Sequence, residues 1–197
     1  GEGEKRGFIQ DYTVMTSAFA QATKTVRARH GEDLPMYCVC HSMGTMITLS
    51  SFEDFDWQGV VFSGTALVAG PGSASPFGCT CLFPITKCEF MLDAILSCTS
   101  TLDPNGPVSP ILSKDLLEDA SHLEMIKKDP HRFHGWIPNI TAYELARMLK
   151  RAKDPSRLRK FKRPFTAIHG GGDTVTLPAG ASLLVDNAGT AAEHKNL

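Results

Sequence analysis

The sequence predicts an α/β protein with a mostly parallel sheet flanked by helices. Residues 35–40 and 59–63 are short apolar runs without polar alternation, which is typical of strands buried on both faces of a parallel sheet. Helical patterns alternate with these runs through short links, which is the arrangement of parallel α/β sheets. A chain of 197 residues with 42% hydrophobic content is long enough for one domain with a substantial core.

The first part of the chain predicts two helix–strand pairs. Apolar residues recur at three- and four-residue spacing over 9–30, and Gly31 provides a helix stop. The first strand, at 35–40, leads directly into a helical pattern over 43–50. The second strand, at 59–63, ends in a stretch rich in Gly and Ser.

The segment from 70 to 138 is rich in proline and differs from its flanks. It predicts helices near 87–98 and 115–127, and no strand alternates with them. We therefore expect a helical insertion placed on the sheet.

After this insertion the sequence again predicts a helix, a strand and a second helix. Thr141-Ala-Tyr-Glu144 has the spacing of a capping box, which predicts that a helix begins there. Residues 163–169 have strand character, and 178–185 predict the next helix.

Composition and charge exclude several function classes. Lys and Arg number 20 against 21 Asp and Glu, so no basic excess is present to bind nucleic acid. The most apolar stretch, 77–98, is interrupted by Lys87, Glu89 and Asp93, which excludes a membrane-spanning helix. The six cysteines lack the Cys-x-x-Cys spacing of zinc sites, so we expect no metal and predict buried, reduced thiols. With no signal-peptide pattern, these features favour the cytoplasm.

The turn between the first strand and the following helix carries a candidate nucleophile. In Cys40-His-Ser-Met-Gly44 the serine, Ser42, lies where a strained turn lifts its hydroxyl out of the sheet. The N–H of Met43 then faces the oxyanion that forms on acyl attack. Cys40 replaces the first glycine of the G-x-S-x-G pattern, and its small size makes the change tolerable. The alternative is a polar serine that caps the helix.

A candidate acid lies at the end of the late strand, in His169-Gly-Gly-Gly-Asp173. The letters His-Gly-Gly-Gly also occur in the oxyanion loop of some esterases, but that loop precedes the nucleophile in the chain. We therefore interpret Asp173 as the acid of a Ser…Asp…His order. The alternative is an aspartate that stabilises a glycine turn.

No histidine of the sequence is a good candidate for the catalytic base. His194 follows Asp173 but precedes the strand that should position the base, and His41 is directed away from its neighbour Ser42. His169 closes a strand and is interpreted as a packed residue. The remaining histidines are interpreted as surface residues, namely His30, His122, His131 and His134.

These motifs together resemble the monoacylglycerol lipase group of α/β-hydrolases. Gly1–Arg6 resembles the family's S-E-G-E-R loop, His41–Gly44 its G-H-S-M-G-G elbow, and Ile168–Asp173 its L-x-G-x-x-D segment. The likeness extends over nearly the whole chain and is weakest over 71–135. Cys40 and Thr45 depart from the elbow, because the family has glycine at both positions.

The resemblance implies an α/β-hydrolase fold in which Ser42 is the nucleophile, Asp173 the acid and the Met43 amide half of the oxyanion hole. It places the catalytic histidine eight to ten residues beyond Leu197 and the other oxyanion loop before Gly1. We therefore expect an interior fragment of a longer enzyme, without the N- and C-terminal strands and with little activity on its own.

The implied organisation has three parts. Residues 1–70 form the first part of the core with the elbow at 40–44, residues 71–138 form a helical cap, and 139–197 complete the core. The cap is rich in large apolar residues, among which Phe83, Phe90 and Met91 are candidates for contact with an acyl chain or a membrane surface. The alternative is that these residues pack on the sheet.

The sequence thus predicts a serine hydrolase of lipid carboxylic esters, without a cofactor. The leading substrate is monoacylglycerol, cleaved to a fatty acid and glycerol through an acyl-enzyme. Lysophospholipids and other carboxylic esters are alternatives within the same chemistry. An alternative of another class is a non-catalytic binding protein with the hydrolase fold, and a metal enzyme is a remote third.

Overall fold

The computed structural model describes residues 7–31, 33–70, 89–110, 120–133 and 135–197. In chain order the elements are α1 (Thr13–His30), β1 (Tyr37–His41), α2 (Met43–Ser51), β2 (Gly59–Ser63), α3 (Glu89–Leu102), β3 (Pro107–Pro110), α4 (Ala120–Lys128), β4 (Trp136–Pro138), α5 (Asn139–Ala152), α6 (Pro155–Leu158), β5 (Phe165–Ile168), α7 (Ala179–Asn187) and β6 (Lys195–Asn196). Short 3-10 turns at Phe52–Asp54 and Ala192–His194 follow α2 and precede β6.

The chain divides into two units. The sheet unit comprises Tyr12–Val68 and Arg147–Leu197, and the insertion unit comprises Gly1–Asp11 and Ala69–Ala146. The predicted boundaries at residues 70 and 138 stay a prediction.

The sheet unit contains a four-stranded sheet in the order β1-β2-β5-β6, and every neighbouring pair is parallel. His41, Ser63 and Ile168 share one register across β1, β2 and β5. Helices precede or follow each of these strands in the chain, so the predicted parallel α/β architecture is confirmed.

Burial alternates along β1, which lies at the edge of the described sheet. Cys38 and Cys40 are buried, whereas Tyr37 and Val39 are 67% and 77% exposed. The prediction that this strand is buried on both faces is therefore wrong. A short apolar run does not distinguish one buried face from two when its outward residues are themselves apolar.

Aromatic side chains form the core that ties the sheet to its helices. Phe161, fully buried between α6 and β5, lies at ring-centroid distances of 5.3 Å from Phe52, 5.9 Å from Phe62 and 5.9 Å from Phe165. The angles between these ring planes range from edge-on to tilted, which are favourable geometries for aromatic pairs. This cluster joins the end of α2 to β2 and β5.

The start of α5 differs from its prediction. The helix begins at Asn139, so Thr141 lies inside it and does not cap it. The Thr141 hydroxyl instead donates to the Gly7 carbonyl at 2.9 Å and accepts from the Ile9 amide at 2.8 Å. The capping-box pattern led to a wrong prediction because the Thr141 hydroxyl binds a segment that is distant in the sequence.

The insertion unit contains helices α3 and α4, which overlap the predicted patches, and an antiparallel ribbon of β3 and β4. The prediction of an insertion without strands is therefore wrong. The ribbon was not predicted because proline argues against a strand, and three of the paired residues are prolines: Pro107 pairs with Pro138, and Pro110 with Trp136. A two-stranded ribbon tolerates proline because each strand has an outer edge that needs no N–H donor.

No helix among the described residues is long and apolar enough to cross a membrane. Cys38, Cys40 and Cys98 are free thiols, and Cys98 is exposed, contrary to the prediction that it is buried. The other three cysteines lie outside the described residues.

Candidate active site

Ser42 occupies a strained turn between β1 and α2. Its φ of 50° and ψ of −118° make it the one non-glycine residue with positive φ in the described part of the chain. Such backbone costs about 1–3 kcal/mol and persists only where its surroundings hold it. The predicted strained turn from strand to helix is thus present in the backbone.

Small residues on either side allow this turn. A Cβ added to Gly44 would lie 3.3 Å from the Cβ of Cys40, which is closer than ordinary van der Waals contact. Cys40 is accommodated because its Sγ points to the Val61 carbonyl, at 3.4 Å. A hydrogen bond with Cys38 raises the pKa of the Cys40 thiol, and burial of the thiol raises it further. Cys40 therefore stays a neutral thiol beside Ser42.

The side chain of Ser42 makes no capping hydrogen bond with α2. This finding weighs against the alternative that the serine is a helix cap. Its backbone N–H donates to the Ser63 carbonyl at 2.9 Å, which fixes the turn to the end of β2. Met43 is the first residue of α2, where N–H groups have no intrahelical acceptor.

The end of β2 also contacts the turn through side chains. His41 Nδ1 lies 3.2 Å from the Ser63 hydroxyl. Gly64 has a φ of 59°, and a Cβ there would lie 3.4 Å from the His41 ring. His41 is thus bonded to β2. The sequence analysis gave no role to Ser63 and Gly64, although a Ser-Gly pair at the end of a buried strand could have signalled one.

Asp173 lies in the loop after β5, and hydrogen bonds surround its carboxylate. One oxygen, Oδ1, accepts from the amides of Val175 and Thr176, both at 2.9 Å. The other, Oδ2, accepts from the Thr176 hydroxyl at 2.9 Å and lies 3.2 Å from His169 Nε2. The aspartate therefore stabilises its own turn, as the alternative interpretation held, while its side chain stays 28% exposed.

Two opposing effects act on the pKa of Asp173. Burial, the largest single effect, raises it, but the hydrogen bonds from Thr176, Val175 and His169 together outweigh burial. The net result is a pKa below the usual range of a carboxyl group, because donors stabilise the charged form. Asp173 is therefore a carboxylate at neutral pH.

Ser42 and the loop of Asp173 lie at the same end of the sheet, the one formed by the carboxyl ends of its parallel strands. Ser42 directly follows β1, and the loop of Asp173 follows β5, with β2 between these two parallel strands. Strands are about 4.8 Å apart, so the ends of β1 and β5 are separated by roughly 10 Å. His194 lies elsewhere, exposed in the 3-10 turn that precedes β6.

The candidate cap residues are in the insertion unit. On α3, Phe90 is 82% exposed and Met91 is 45% exposed, so neither side chain is buried in a core. Ile95 and Leu102 on the same helix are exposed as well. Phe83 lies outside the described residues.

Comparison with known proteins identifies the family of this chain. One sequence profile matches residues 1–197, and its family is described as serine aminopeptidase S33, Hydrolase_4. The chain belongs to this family. The S33 assignment makes the chain a member of a serine hydrolase family, in which an activated serine is the expected nucleophile. A comparison with curated proteins gives no significant match.

Several solved structures that are similar to this S33 family member are lipases or esterases. A monoacylglycerol lipase from Paleococcus ferrophilus has a TM-score of 0.67 at 17% identity, covering 92% of this chain and 63% of its own. A soluble variant of monoglyceride lipase from Saccharomyces cerevisiae, in complex with a substrate analog, has a TM-score of 0.72 at 16% identity, covering 100% of this chain and 62% of its own. A carboxyl esterase from Bacillus coagulans, in complex with glycerol, has a TM-score of 0.60 at 17% identity, with coverages of 95% and 62%.

These matches confirm the α/β-hydrolase fold and the predicted resemblance to the monoacylglycerol lipase group. At such low identity the structural likeness shows the fold and leaves the substrate open. The chain spans 62–63% of the length of the two monoacylglycerol lipases.

Proposed function

We propose that this S33 family member hydrolyses lipid carboxylic esters with Ser42 as its nucleophile. The observation that carries the proposal is the strained backbone of Ser42 between β1 and α2, with a hydroxyl that does not cap the helix. A strained serine at the carboxyl edge of a parallel sheet is the arrangement that exposes a nucleophile in this fold.

In the proposed reaction the Ser42 Oγ attacks the ester carbonyl carbon, and its proton moves to a histidine base. The Met43 amide donates a hydrogen bond to the oxyanion. As the tetrahedral intermediate collapses, the ester C–O bond breaks and the histidine gives its proton to the departing alkoxide, which leaves as an alcohol. Water then attacks the acyl-enzyme, releasing the fatty acid and restoring Ser42.

Asp173 is the acid in this proposal. Its lowered pKa keeps it ionised at neutral pH, which suits a group that orients an imidazole and stabilises the imidazolium without taking its proton. The exposed part of its carboxylate leaves room for the histidine N–H.

Monoacylglycerol is the proposed substrate, with fatty acid and glycerol as products. Two similar structures are named as lipases of this substrate, and another holds glycerol. Exposed apolar side chains on α3, Phe90 and Met91 among them, supply a surface suited to an acyl chain or a membrane surface. Lysophospholipids and other carboxylic esters stay alternatives with the same chemistry.

Covalent labelling tests the nucleophile. In protein expressed from its full coding sequence, a fluorophosphonate probe should label the parent and fail to label Ser42→Ala. Ser182→Ala, a matched change on α7, should keep full labelling. Loss of a triad serine lowers kcat by about 10⁶, so ester turnover should vanish with labelling.

Retained turnover in Ser42→Ala would exclude the assignment of Ser42 as the nucleophile. Absence of labelling in the parent would instead support a non-catalytic binding protein.

A substrate panel tests the ester class. We expect turnover of monoacylglycerol to exceed that of a lysophospholipid, a short soluble ester and an aminoacyl anilide. The anilide belongs in the panel because the family is described as aminopeptidases. If the anilide is the best substrate, the lipid ester proposal is wrong, although Ser42 could still be the nucleophile.

A further inference from the structure

His169 is a nearly buried histidine to which the sequence analysis assigned no chemistry. It directly follows β5, and its side chain is 3% exposed. Its Nε2 lies 2.8 Å from the Thr176 carbonyl and 3.2 Å from Asp173 Oδ2. Its Nδ1 is buried without a hydrogen-bond partner.

These contacts fix where the ring carries its proton. A carbonyl and a carboxylate are both acceptors, so Nε2 must bear the hydrogen that they share. A proton on Nδ1 would place a second N–H in a buried position without an acceptor, which is costly. The ring therefore carries a hydrogen on Nε2.

The loop backbone holds Asp173 by one hydrogen bond of its own, from the Asp173 amide to the Gly170 carbonyl at 3.2 Å. Three glycines, residues 170–172, separate it from His169, and a Cβ at Gly170 or Gly171 would meet nothing within 4 Å. Glycines in open surroundings hold a loop weakly. The orientation of the carboxylate must then come from its hydrogen bonds. Of the residues that donate to this carboxylate, Val175 and Thr176 belong to the loop, whereas His169 directly follows the sheet strand β5.

We infer that His169 is a positioning residue for Asp173. Its Nε2–H binds Thr176 and Asp173 together, which ties the turn that carries the carboxylate to the end of β5. The inference rests on the proposed function, because it assigns His169 to the acid of that site. His169 contacts neither the substrate nor Ser42 in this role.

Two amide variants separate positioning from packing. In His169→Gln the side-chain nitrogen sits at the ε position and can still donate to Asp173 and Thr176. In His169→Asn the donor sits one bond nearer the backbone and cannot reach both. Both variants remove the ring, so any loss that is due only to packing should affect them together.

We expect His169→Asn to lower kcat for a short soluble ester on the order of tenfold at unchanged KM, the value of one hydrogen bond to a charged group. His169→Gln should keep most of the parent rate. Carbon NMR of the Asp173 carboxyl should show its pKa raised in His169→Asn and near that of the parent in His169→Gln. Nitrogen NMR of the parent should show His169 protonated on Nε2.

Other results overturn the inference. Equal losses in both variants, parallel to losses of thermal stability, would show a packing role only. An unchanged Asp173 titration in His169→Asn, or a ring protonated on Nδ1 alone, would exclude the positioning role. The NMR measurements need no turnover, so they decide on His169 even if Ser42→Ala shows that the proposed hydrolase function is wrong.

Discussion

At the scale of single residues, the strained backbone of Ser42 depends on close approaches that its neighbours permit. Its amide is held by the Ser63 carbonyl, and Gly44 passes the Cβ of Cys40 at a distance that leaves no room for a larger residue. Cys40 and Gly44 therefore form one packing unit, in which a small residue on the strand compensates for the absence of the family's first glycine.

A double-mutant cycle should reveal this coupling. Gly44→Ala puts two Cβ atoms 3.3 Å apart, and overpacking of this kind costs about 1–3 kcal/mol of unfolding free energy. In a Cys40→Gly background the same change should be neutral or stabilising, because alanine favours a helix by about 1 kcal/mol over glycine. Urea unfolding of the four proteins measures the difference. An equal cost in both backgrounds would show that the two positions do not interact.

Asp173→Asn should separate catalysis from folding. The amide oxygen still accepts from Val175 and Thr176, so the variant should fold at pH 7, with a small drop in melting temperature from the lost acceptor for His169 and the Thr176 hydroxyl. The rate should fall by about 10⁴, because the variant favours the wrong tautomer of the base. Asp173→Ala, which also loses the turn, should unfold at a lower temperature than Asp173→Asn. Unchanged activity in Asp173→Asn would leave the turn as the only role of this residue.

The comparison of the parent with Asp173→Asn also predicts how stability depends on pH. The folded-state pKa of Asp173 is lowered, so its contribution is fully present above the unfolded-state pKa of about 4 and is lost as pH falls through the folded-state value. The stability difference between parent and Asp173→Asn should therefore shrink as pH falls below about 4. A constant difference across this range would contradict the lowered pKa.

At the scale of elements, α2 is fixed at both ends. The strained turn precedes it, and at its other end the Ser50 carbonyl accepts from Arg151 Nε at 3.1 Å and from Arg157 Nη2 at 3.2 Å. Positive charge at a helix C-terminus is favourable because the last carbonyls have no intrahelical donor. These arginines come from α5 and α6, so they attach α2 to elements more than 95 residues away in the chain.

Arg157 should matter more for its carbonyl contact than for its ion pair. Its guanidinium also lies over the Phe52 ring at 5.4 Å and binds Glu53 at 2.9 Å. Arg157→Met should cost about 1.5–3 kcal/mol of unfolding free energy, the value of a hydrogen bond to a charged group. Glu53→Gln should cost less than about 1 kcal/mol, because Glu53 is 43% exposed. Equal costs in urea unfolding would assign the stabilisation to the ion pair.

Gly180 is where α7 packs against the backbone that follows β2. A Cβ there would lie 2.5 Å from the Thr65 carbonyl oxygen and 3.2 Å from the Leu67 amide nitrogen. Backbone atoms cannot yield as a flexible side chain can, so Gly180→Ala should cost about 3 kcal/mol despite the helix propensity of alanine. Gly171→Ala is the matched control, because its Cβ would meet nothing within 4 Å. Similar melting temperatures for the two variants would contradict this packing.

At the scale of the whole molecule, the sequence predicted the parts that local pattern controls. The strand at Gly59–Ser63 and the turn at Ser42 follow from apolar runs and a short motif, and both are present. The interpretation of Thr141 as a cap was wrong because its hydroxyl binds a segment more than 130 residues away. The contacts of Arg157 were missed because its partners lie more than 100 residues away, whereas the contact of His169 was missed although Asp173 is only four residues away.

The exposed apolar side chains of α3 lead to a prediction about substrate length. Phe90 and Met91 are the most directly testable, because both are exposed and neither belongs to the proposed catalytic set. Phe90→Ser or Met91→Ser should slow the hydrolysis of long-chain monoacylglycerol far more than that of a short soluble ester. Burial of an acyl chain contributes about 0.8 kcal/mol per CH₂, and a short ester lacks most of these groups.

The short ester serves as an internal control for folding, since the proposed nucleophile and acid are untouched. Ser97→Asn provides a matched polar change on an exposed position of the same helix and should leave both rates near those of the parent. Vesicle binding should weaken together with long-chain turnover if α3 contacts lipid, because interfacial binding scales with buried apolar area. Weakened turnover with unchanged vesicle binding would place Phe90 and Met91 in contact with the acyl chain alone. Equal losses on both esters would mean that these residues serve folding, and the acyl-chain surface would then have to lie elsewhere.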